Sequence, residues 1–381
     1  MQRRLALPYE ETLAVVQEIS NLARSVKHQA TAGLAMMLFV DEKTARECYG
    51  FDSPLLVMRA QGPLSILQLS ISCAEINMQD GWKAAIDPYK LLGALKYIKR
   101  TKPKDVQINV LKTGIKIGKI TIRTEDAQVF KNPPPGVTDA KVVSTTPNPY
   151  TAVLRIGHCA GDDSIPSVAI LSGQILAARR SQAIVVDCEI FPATDKRKVM
   201  VPVKELLRVK ALDDTLQVRL SEEYLVFRGE ANLLAINIQR WSRTMDEALA
   251  FFGNASFVDQ VSVNRLSLFE SLKAAKSILG SEADAELSFA DNEGLLRSTE
   301  EGNEGSFTFE CAVKSKKKYS LGLVVRMLLD AITYAPEPDI VFKIPDLSAG
   351  PVNMIHLVDS ESHEVIGLGM TGQLRDENAG A

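Results

Sequence analysis

One pattern recurs three times in this chain and limits what it can fold into: an amphipathic helix, a polar turn, and a strand of alternating apolar and polar residues. The clearest copy runs from Asp87 to Thr124, as DPYKLLGALKYIKR, then TKPKD, then VQINVLKTGIKIGKITIRT. Leu91, Leu92, Leu95 and Ile98 fall at helical spacing and form one apolar face, which leaves Lys96 and Arg100, four positions apart, on the far side. Val106, Ile108 and Val110 alternate with Gln107 and Asn109, the mark of a half-buried strand. The same order returns in VPVKELLRVKALDDTLQVRL, with Leu216, Val218 and Leu220, and in YSLGLVVRMLLDAITYAPEPDIVFKI, with Ile340, Phe342 and Ile344. Val106 and Leu216 are 110 positions apart, and Leu216 and Ile340 are 124 apart, so three domain-sized copies fill the 381 residues. The spacing predicts domains at 1–133, 134–255 and 256–381.

Composition narrows the class. With 46% hydrophobic and 24% charged residues, the chain reads as an ordinary soluble globular protein. No stretch approaches the ~20 uninterrupted apolar residues of a membrane span. Glu10 and Glu11 interrupt any signal-like apolar run near the start, so no export signal is expected. Cys48, Cys73, Cys159, Cys188 and Cys311 are scattered singly and odd in number. That pattern predicts reduced, mostly buried thiols in a cytoplasmic protein, with no metal-ligand spacing.

A net charge of −3 makes no global case for nucleic acid. The distribution is more telling: Lys90 to Lys104 holds six basic residues and no acid, and KSKKK at Lys314 to Lys318 adds four, whereas Ser281 to Gly294 and Ser298 to Glu304 are acidic. A mildly acidic chain can still present one basic surface to phosphates. The KSKKK run precedes a helix start, where positive charge opposes the dipole, and a solvated loop is the favoured reading.

Along the chain, Leu13, Val16, Ile19 and Leu22 predict a first helix, and LAMMLFV, PLLVMRA and SILQLSIS predict strands. The prolines of FKNPPPGVTDAKVVSTTPNP mark a domain boundary. YTAVLRIGHCAG reads as a shortened helix; SVAILSGQILAARRSQAIVVDCEIF reads either as a helix or as a hairpin, with Gly173 and the polar ARRSQ turn favouring two strands. A strong helix is predicted over VDQVSVNRLSLFESLKAAKSIL and another over LGLVVRMLLDAI, with a hairpin in AELSFADNEGLLRST around Asp291 to Gly294. GSFTFECAV, DIVFKI, VNMIHLV and EVIGLGM are expected strands, and the tail GQLRDENAGA is expected to fray.

Catalytic constellations are missing from the sequence. Asp187, Cys188 and Glu189 are adjacent, and alternate residues of a strand face opposite sides, so they do not converge. Cys159 beside His158 has the same defect. The GxGxxG match at Gly367, Gly369 and Gly372 lies almost at the C-terminus, with no helix after it to receive a phosphate. No enzymatic activity, cofactor or metal is expected.

Three stretches carry a resemblance. AILSGQILA followed by AIVVDCEIF resembles a strand with Leu-Asn-Gly and then one ending Ala-Thr-Asp-Gly-His-Arg-Leu. LSLFESLKAAKSIL with ELSFADNEGLLRST, and GPVNMIHLV with VIGLGM, resemble the start of a third domain and a closing strand pair that ends Val-Val-Met-Pro-Met-Arg-Leu. All three belong to the bacterial DNA polymerase III beta subunit, the sliding clamp, which the whole chain resembles in pattern more than in identity.

The resemblance implies an α+β fold of three repeated domains, each with two helices packed on antiparallel sheet. Two chains would close head to tail into a ring of six domains, with twelve helices around duplex DNA held topologically and without base reading. It implies pore contacts from Arg24, Lys27, His28, Lys96, Lys99, Arg100, Lys204, Arg208, Lys210, Lys273 and Lys276, although Lys276 falls close to the apolar arc of Phe269 and Leu272. It also implies a hydrophobic cleft for short peptides of the polymerase and clamp loader. That cleft would be built from Leu171, Val186, Cys188, Ile190, Phe191, Pro351, Ile366, Leu368, Gly369 and Met370. Glu189 and Ile190 stand where the family has His and Arg, Gly369 replaces Pro, and TGQLRDENAGA extends the end. These departures suggest a divergent, phage- or plasmid-encoded clamp, acting in the cytoplasm at the nucleoid. A second reading stays open: a non-catalytic interaction or structural scaffold of the same repeats that is not loaded on DNA.

Overall fold

The computed structural model describes residues 3–23, 33–73, 75–76, 78, 81–101, 103–130, 133–160, 165–179, 182–254, 257–280, 283–290, 292–300, 303–313, 318–333, 338–345, 354–359, 365–369 and 375–376. The fold is α+β. It forms two compact units, Met1–Tyr150 with Lys204–Gln239, and Thr151–Val203 with Arg240–Ala381. Each unit carries a continuous antiparallel sheet of thirteen described strands.

The repeat is visible in strand pairing. Strand Arg3–Pro8 feeds helix Tyr9–Ala23, and helix Pro88–Ile98 feeds strand Asp105–Val110. The two strands lie side by side, from Pro8 opposite Asp105 to Arg3 opposite Val110. In the middle repeat, strand Lys141–Pro147 precedes helix Tyr150–Ile156, and strand Thr215–Leu220 follows the helix Val203–Leu206 with its 3-10 extension Leu207–Ala211. Pro147 stands opposite Thr215. In the third repeat, Asn264 of strand Phe257–Asn264 stands opposite Asp339 of strand Asp339–Pro345.

Packing follows from the apolar stripes. Helix Tyr9–Ala23 buries Val16, Ile19 and Leu22, and helix Pro88–Ile98 buries Leu91, Leu92 and Leu95. The two run antiparallel: Tyr9 Oη donates to the Leu95 carbonyl at 3.1 Å, and Tyr89 Oη donates to the Ser20 carbonyl at 2.6 Å. In the third repeat Phe289 sits between Phe342 and Phe309, with ring centroids 5.2 and 6.0 Å away, in a core that also takes Leu268 and Leu272 from one helix and Leu328 and Ile332 from another.

The structure corrects several sequence expectations. The helix expected from Val258 begins only at Arg265, because the preceding segment is a strand with Val261 and Val263 buried. β-Branched side chains favour extended backbone, and the Asn264 side chain caps the helix by accepting from Ser267 N at 2.9 Å. Likewise Tyr319–Val324 is a strand paired with Asp284–Ala290, and the helix starts at Val325. The expected hairpin at Ser167 to Phe191 is three strands, Ser167–Leu171, Gln174–Arg179 and Gln182–Asp187, with Gly173 at φ 68° in the first turn. Two helices of eight residues or more went unforeseen among the described residues. Glu42–Tyr49 is bounded by an Asp41 cap and by Gly50 at φ 78°, and Arg243–Asn254 fills a stretch to which no element is assigned from the sequence. In the tail, Arg375 and Asp376 pair with Ser320 and Tyr319.

A buried charge pair fixes the middle-repeat helix to the first-repeat sheet within the first unit. Arg208 Nε donates to Glu205 Oε2 at 2.7 Å, with side chains 7% and 6% exposed, and the same oxygen accepts from Ser65 Oγ. Removing one partner strands the other charge away from water. Glu205→Ala is expected to lower unfolding free energy by about 3–5 kcal/mol in urea denaturation. Breaking the exposed pair Arg46–Glu42, 61% and 57% exposed, should change it by less than about 1 kcal/mol.

Candidate functional site

The helix Pro88–Ile98 starts at an Asp87 cap, whose carboxylate accepts from Tyr89 N at 2.9 Å and Lys90 N at 3.3 Å. Opposite its buried stripe, Lys96, Lys99 and Arg100 are exposed and make no ion pair with a described residue. Lys99 and Arg100 stand on the 3-10 turn that ends the helix, where positive charge complements the dipole. Lys204 and Lys276 are also exposed. Lys276 clears the apolar arc because the buried stripe of its helix runs through Leu268, Leu272, Ala275 and Leu279. Lys273 is exposed too, over the Phe269 ring at 4.2 Å and 3.7 Å from Glu270.

Two expected contacts are already engaged within the chain. Arg208 is buried against Glu205 and is not on a solvent face. The chain tightens to a 3-10 turn at Leu207, and in that geometry residues three apart eclipse, which sets Arg208 over Glu205. Lys210 Nζ lies 3.1 Å from Glu18. Arg24, Lys27 and His28 lie outside the described residues.

The expected peptide cleft is brought together in part. Strand Gln182–Asp187 pairs with strand Val365–Gly369, with Ile184 opposite Ile366 and Gln182 opposite Leu368, so segments about 180 positions apart share one sheet edge to edge. Leu171 and Cys188 are half-buried. Val186, Ile190 and Phe191, however, belong to the interior and support that surface from beneath; the turn after Asp187 folds inward, with Gly173 N donating to the Phe191 carbonyl at 2.8 Å. Pro351 and Met370 lie outside the described residues, whereas Gly369 pairs with Met354.

Sequence reasoning passed over Trp241 and the helix after it. Met245, Ala248, Leu249 and Phe252 follow i, i+3, i+4, i+7 spacing, which is a helical signal. They pack with Trp241 against Ala169, Leu176, Ala178, Ala183 and Met200. The Trp241 indole N–H donates to Asp246 Oδ1 at 2.9 Å, and Lys198 Nζ lies 5.3 Å from its ring centroid.

No protein-family model matches the sequence, and no curated protein matches it. The fold, by contrast, has many solved relatives. The DNA polymerase III subunit beta of Borrelia burgdorferi superposes with a TM-score of 0.79 at 10% identity, covering 97% of this chain and 99% of that one. The subunit from Pseudomonas aeruginosa gives 0.76 at 12%, covering 97% and 100%, and that from Thermotoga maritima gives 0.76 at 13%, covering 97% and 99%. The fold is that of the DNA polymerase III beta subunit.

Within this clamp fold, Asp187, Cys188 and Glu189 stay divergent, as their alternation requires: Asp187 and Glu189 are exposed and Cys188 is half-buried. Among the described residues no three His, Cys, Asp or Glu side chains group closely enough to hold a metal ion, and no helix is long and apolar enough to cross a membrane. Burial pushes the Cys73 thiol up to about 12 and the Cys188 and Cys311 thiols up to about 11, so all three stay protonated and poorly nucleophilic at neutral pH. Cys48 is exposed. At pH 8 a thiol reagent should label Cys48 in the native protein. Cys188 and Cys311 should react only as the pH nears 11, Cys73 only nearer 12, or all three after unfolding, which mass spectrometry of labelled peptides would read.

Proposed function

We propose that the protein is a DNA sliding clamp, a non-catalytic replication processivity factor that encircles duplex DNA and tethers a polymerase. The observation that carries this reading is the likeness to clamps over 97% of this chain and 99% of the Borrelia subunit. Three clamp domains at 1–133, 134–255 and 256–381 agree with the thrice-repeated strand, helix, helix, strand order. Lys96, Lys99, Arg100, Lys204, Lys273 and Lys276 supply exposed positive charge that would keep a duplex centred through its phosphates, with no base contact. Polymerase and clamp loader would dock through short peptides on the surface around Leu171 and strand Val365–Gly369. The protein would work in the cytoplasm, at the nucleoid.

A homodimer is the assembly this reading requires, and two sheet edges support it. Strand Ile120–Glu125 pairs with strand Lys83–Ile86 only at Thr124 and Glu125, which leaves the edge from Ile120 to Arg123 open among the described residues. Strand Asn303–Val313 pairs with Phe257–Asn264 only from Cys311 to Val313, and helix side chains take two more groups on that edge, with Glu310 N donating to Ser267 Oγ at 3.1 Å and Ser271 Oγ donating to the Thr308 carbonyl at 2.9 Å, so the edge is open only from Glu304 to Phe307 among the described residues. Lys116, Lys119 and Arg123 are exposed beside the first edge, and Glu304 and Glu310 along the second. Open edges of opposite charge suit strand addition between two copies, head to tail.

At micromolar concentration the solution mass should therefore be twice 41.7 kDa. Lys119→Glu with Arg123→Glu should shift it to monomer; a monomeric parent would count against the ring. On nicked circular DNA with a clamp loader the protein should be retained, and it should slide off once the circle is cut. Equal retention on both forms would sink topological binding. Replacing Lys96, Lys99 and Arg100 with Ala should reduce the slope of log affinity against log salt by about 2–3, measured by fluorescence anisotropy on duplex DNA.

A further inference from the structure

Strand alternation gives each repeat a second sheet face, opposite its main core, and the three repeats finish that face differently. In the first, Leu38, Val40, Leu55 and Val57 are covered by helix Glu42–Tyr49 through Ala45 and Tyr49. In the second, Ala169, Leu176 and Ala178 are covered by helix Arg243–Asn254 through Met245, Ala248 and Leu249. In the third, strands Asp284–Ala290 and Glu293–Glu300 are joined by a two-residue turn, with no room for a helix. The corresponding face carries Ser288, Ala290, Leu295 and Arg297, and a cavity of about 540 Å³ lies over it, rimmed also by Asn292, Glu293 and Lys318.

The polar groups around this cavity converge without satisfying one another. The side chains of Ser288, Asn292, Glu293, Arg297 and Lys318 make no hydrogen bond or ion pair with a described residue, and Glu286, directly opposite Arg297, is taken by the Ser320 hydroxyl. Strand register gives the reason. Arg297 lies four residues beyond Glu293 on one strand, about 13 Å along it, which holds the two charges apart. Glu293 is the partner of Ala290 on one side, and on the other Lys318 precedes Tyr319, the partner of Phe289. Glu293 and Lys318 therefore stand about 10 Å apart across the cavity floor. Ser288, Ala290 and Leu295 are half-buried in that floor. Lys318 is also the last residue of the basic KSKKK run.

We propose that this cavity is a binding site for a nucleoside monophosphate. Arg297 and Lys318 supply the cations that a phosphate takes, the guanidinium as a planar fork and the ammonium as a point charge. Glu293, an anion across the same cavity, accepts from ribose hydroxyls or a base amine and repels a second carboxylate, so a dicarboxylate is disfavoured. Leu295 and Ala290 give a flat base an apolar floor, and Ser288 and Asn292 offer hydrogen-bonding groups at its edge. A few polar groups converging on apolar lining, in a volume within the roughly 300–1,000 Å³ of small-molecule sites, is the usual make-up of such a pocket. A nucleotide presents an anion, neutral donors and a flat apolar body together, which is the complement of this lining. The inference goes beyond the clamp reading and uses none of the residues assigned above to DNA or to partner peptides.

The test is isothermal titration calorimetry on the full-length protein with AMP, adenosine and succinate. AMP should bind once per chain, about tenfold tighter than adenosine, which lacks the phosphate, and than succinate, which carries two anions and no neutral donor. Raised salt should weaken AMP binding. Arg297→Ala and Lys318→Gln, both at exposed positions, should each weaken it about five- to tenfold, and Glu293→Gln should narrow the gap between AMP and succinate. Lys96→Ala, on a helix assigned to DNA, should leave AMP binding at the parent value. No AMP binding at millimolar concentration, or AMP binding no tighter than that of adenosine or succinate, overturns the proposal. Binding that Lys96→Ala weakens while Arg297→Ala and Lys318→Gln do not overturns it too.

Discussion

Backbone pairing across repeat boundaries is the constraint on which the rest of this structure depends. Strand Leu233–Asn237 of the middle repeat lies on strand Ser65–Ser72 of the first, with Leu234 opposite Leu67, and Asn232 Oδ1 accepts from Ser70 N at 2.9 Å beside that seam. Strand Gln182–Asp187 of the same middle repeat lies on strand Val365–Gly369 of the third. The middle repeat thus gives strands to both sheets. An antiparallel seam satisfies edge N–H and C=O groups that would otherwise need water or another chain, and the two compact units follow from it.

Charge placement is decided by the same packing. Lys96 and Arg208 look alike in the sequence, each a cation near the end of an amphipathic helix. One is exposed and without an ion pair to a described residue; the other is buried in a pair with Glu205 that also receives a hydrogen bond from Ser65. A cation of the first kind is available to phosphates. One of the second kind holds the helix to its sheet, and moving it to a ligand would leave Glu205 charged and dry.

Periodicity reads local structure well and boundaries poorly. The alternation of Val106, Ile108 and Val110 and the helical stripe from Leu91 to Leu95 both appear as buried faces. In VDQVSVNRLSLF, β-branched alternation and helical spacing overlap, and only the Asn264 cap divides them. In YSLGLVVRML the leucines fit both periods, and pairing with Asp284–Ala290 selects the strand. Helix Arg243–Asn254 had its signal in Met245, Ala248, Leu249 and Phe252, which the sequence reading passed over. Val186, Ile190 and Phe191 were legible as apolar; that they face inward was not.

The sequence alone determined the alternation and helical spacing that fix most element types, and the lysines that stay off the apolar stripes, because these depend on residues within a few positions; the same local patterns, recurring three times, made the repeat legible. Only the tertiary structure decided that Arg208 is interior, that Ile184 and Ile366 are neighbours, and that Trp241 packs against Ala169 and Leu176 with Lys198 over its ring. Those outcomes come from contacts between segments tens to hundreds of positions apart. There the burial of one group is set by what a distant strand or helix brings against it, and no local pattern encodes that partner.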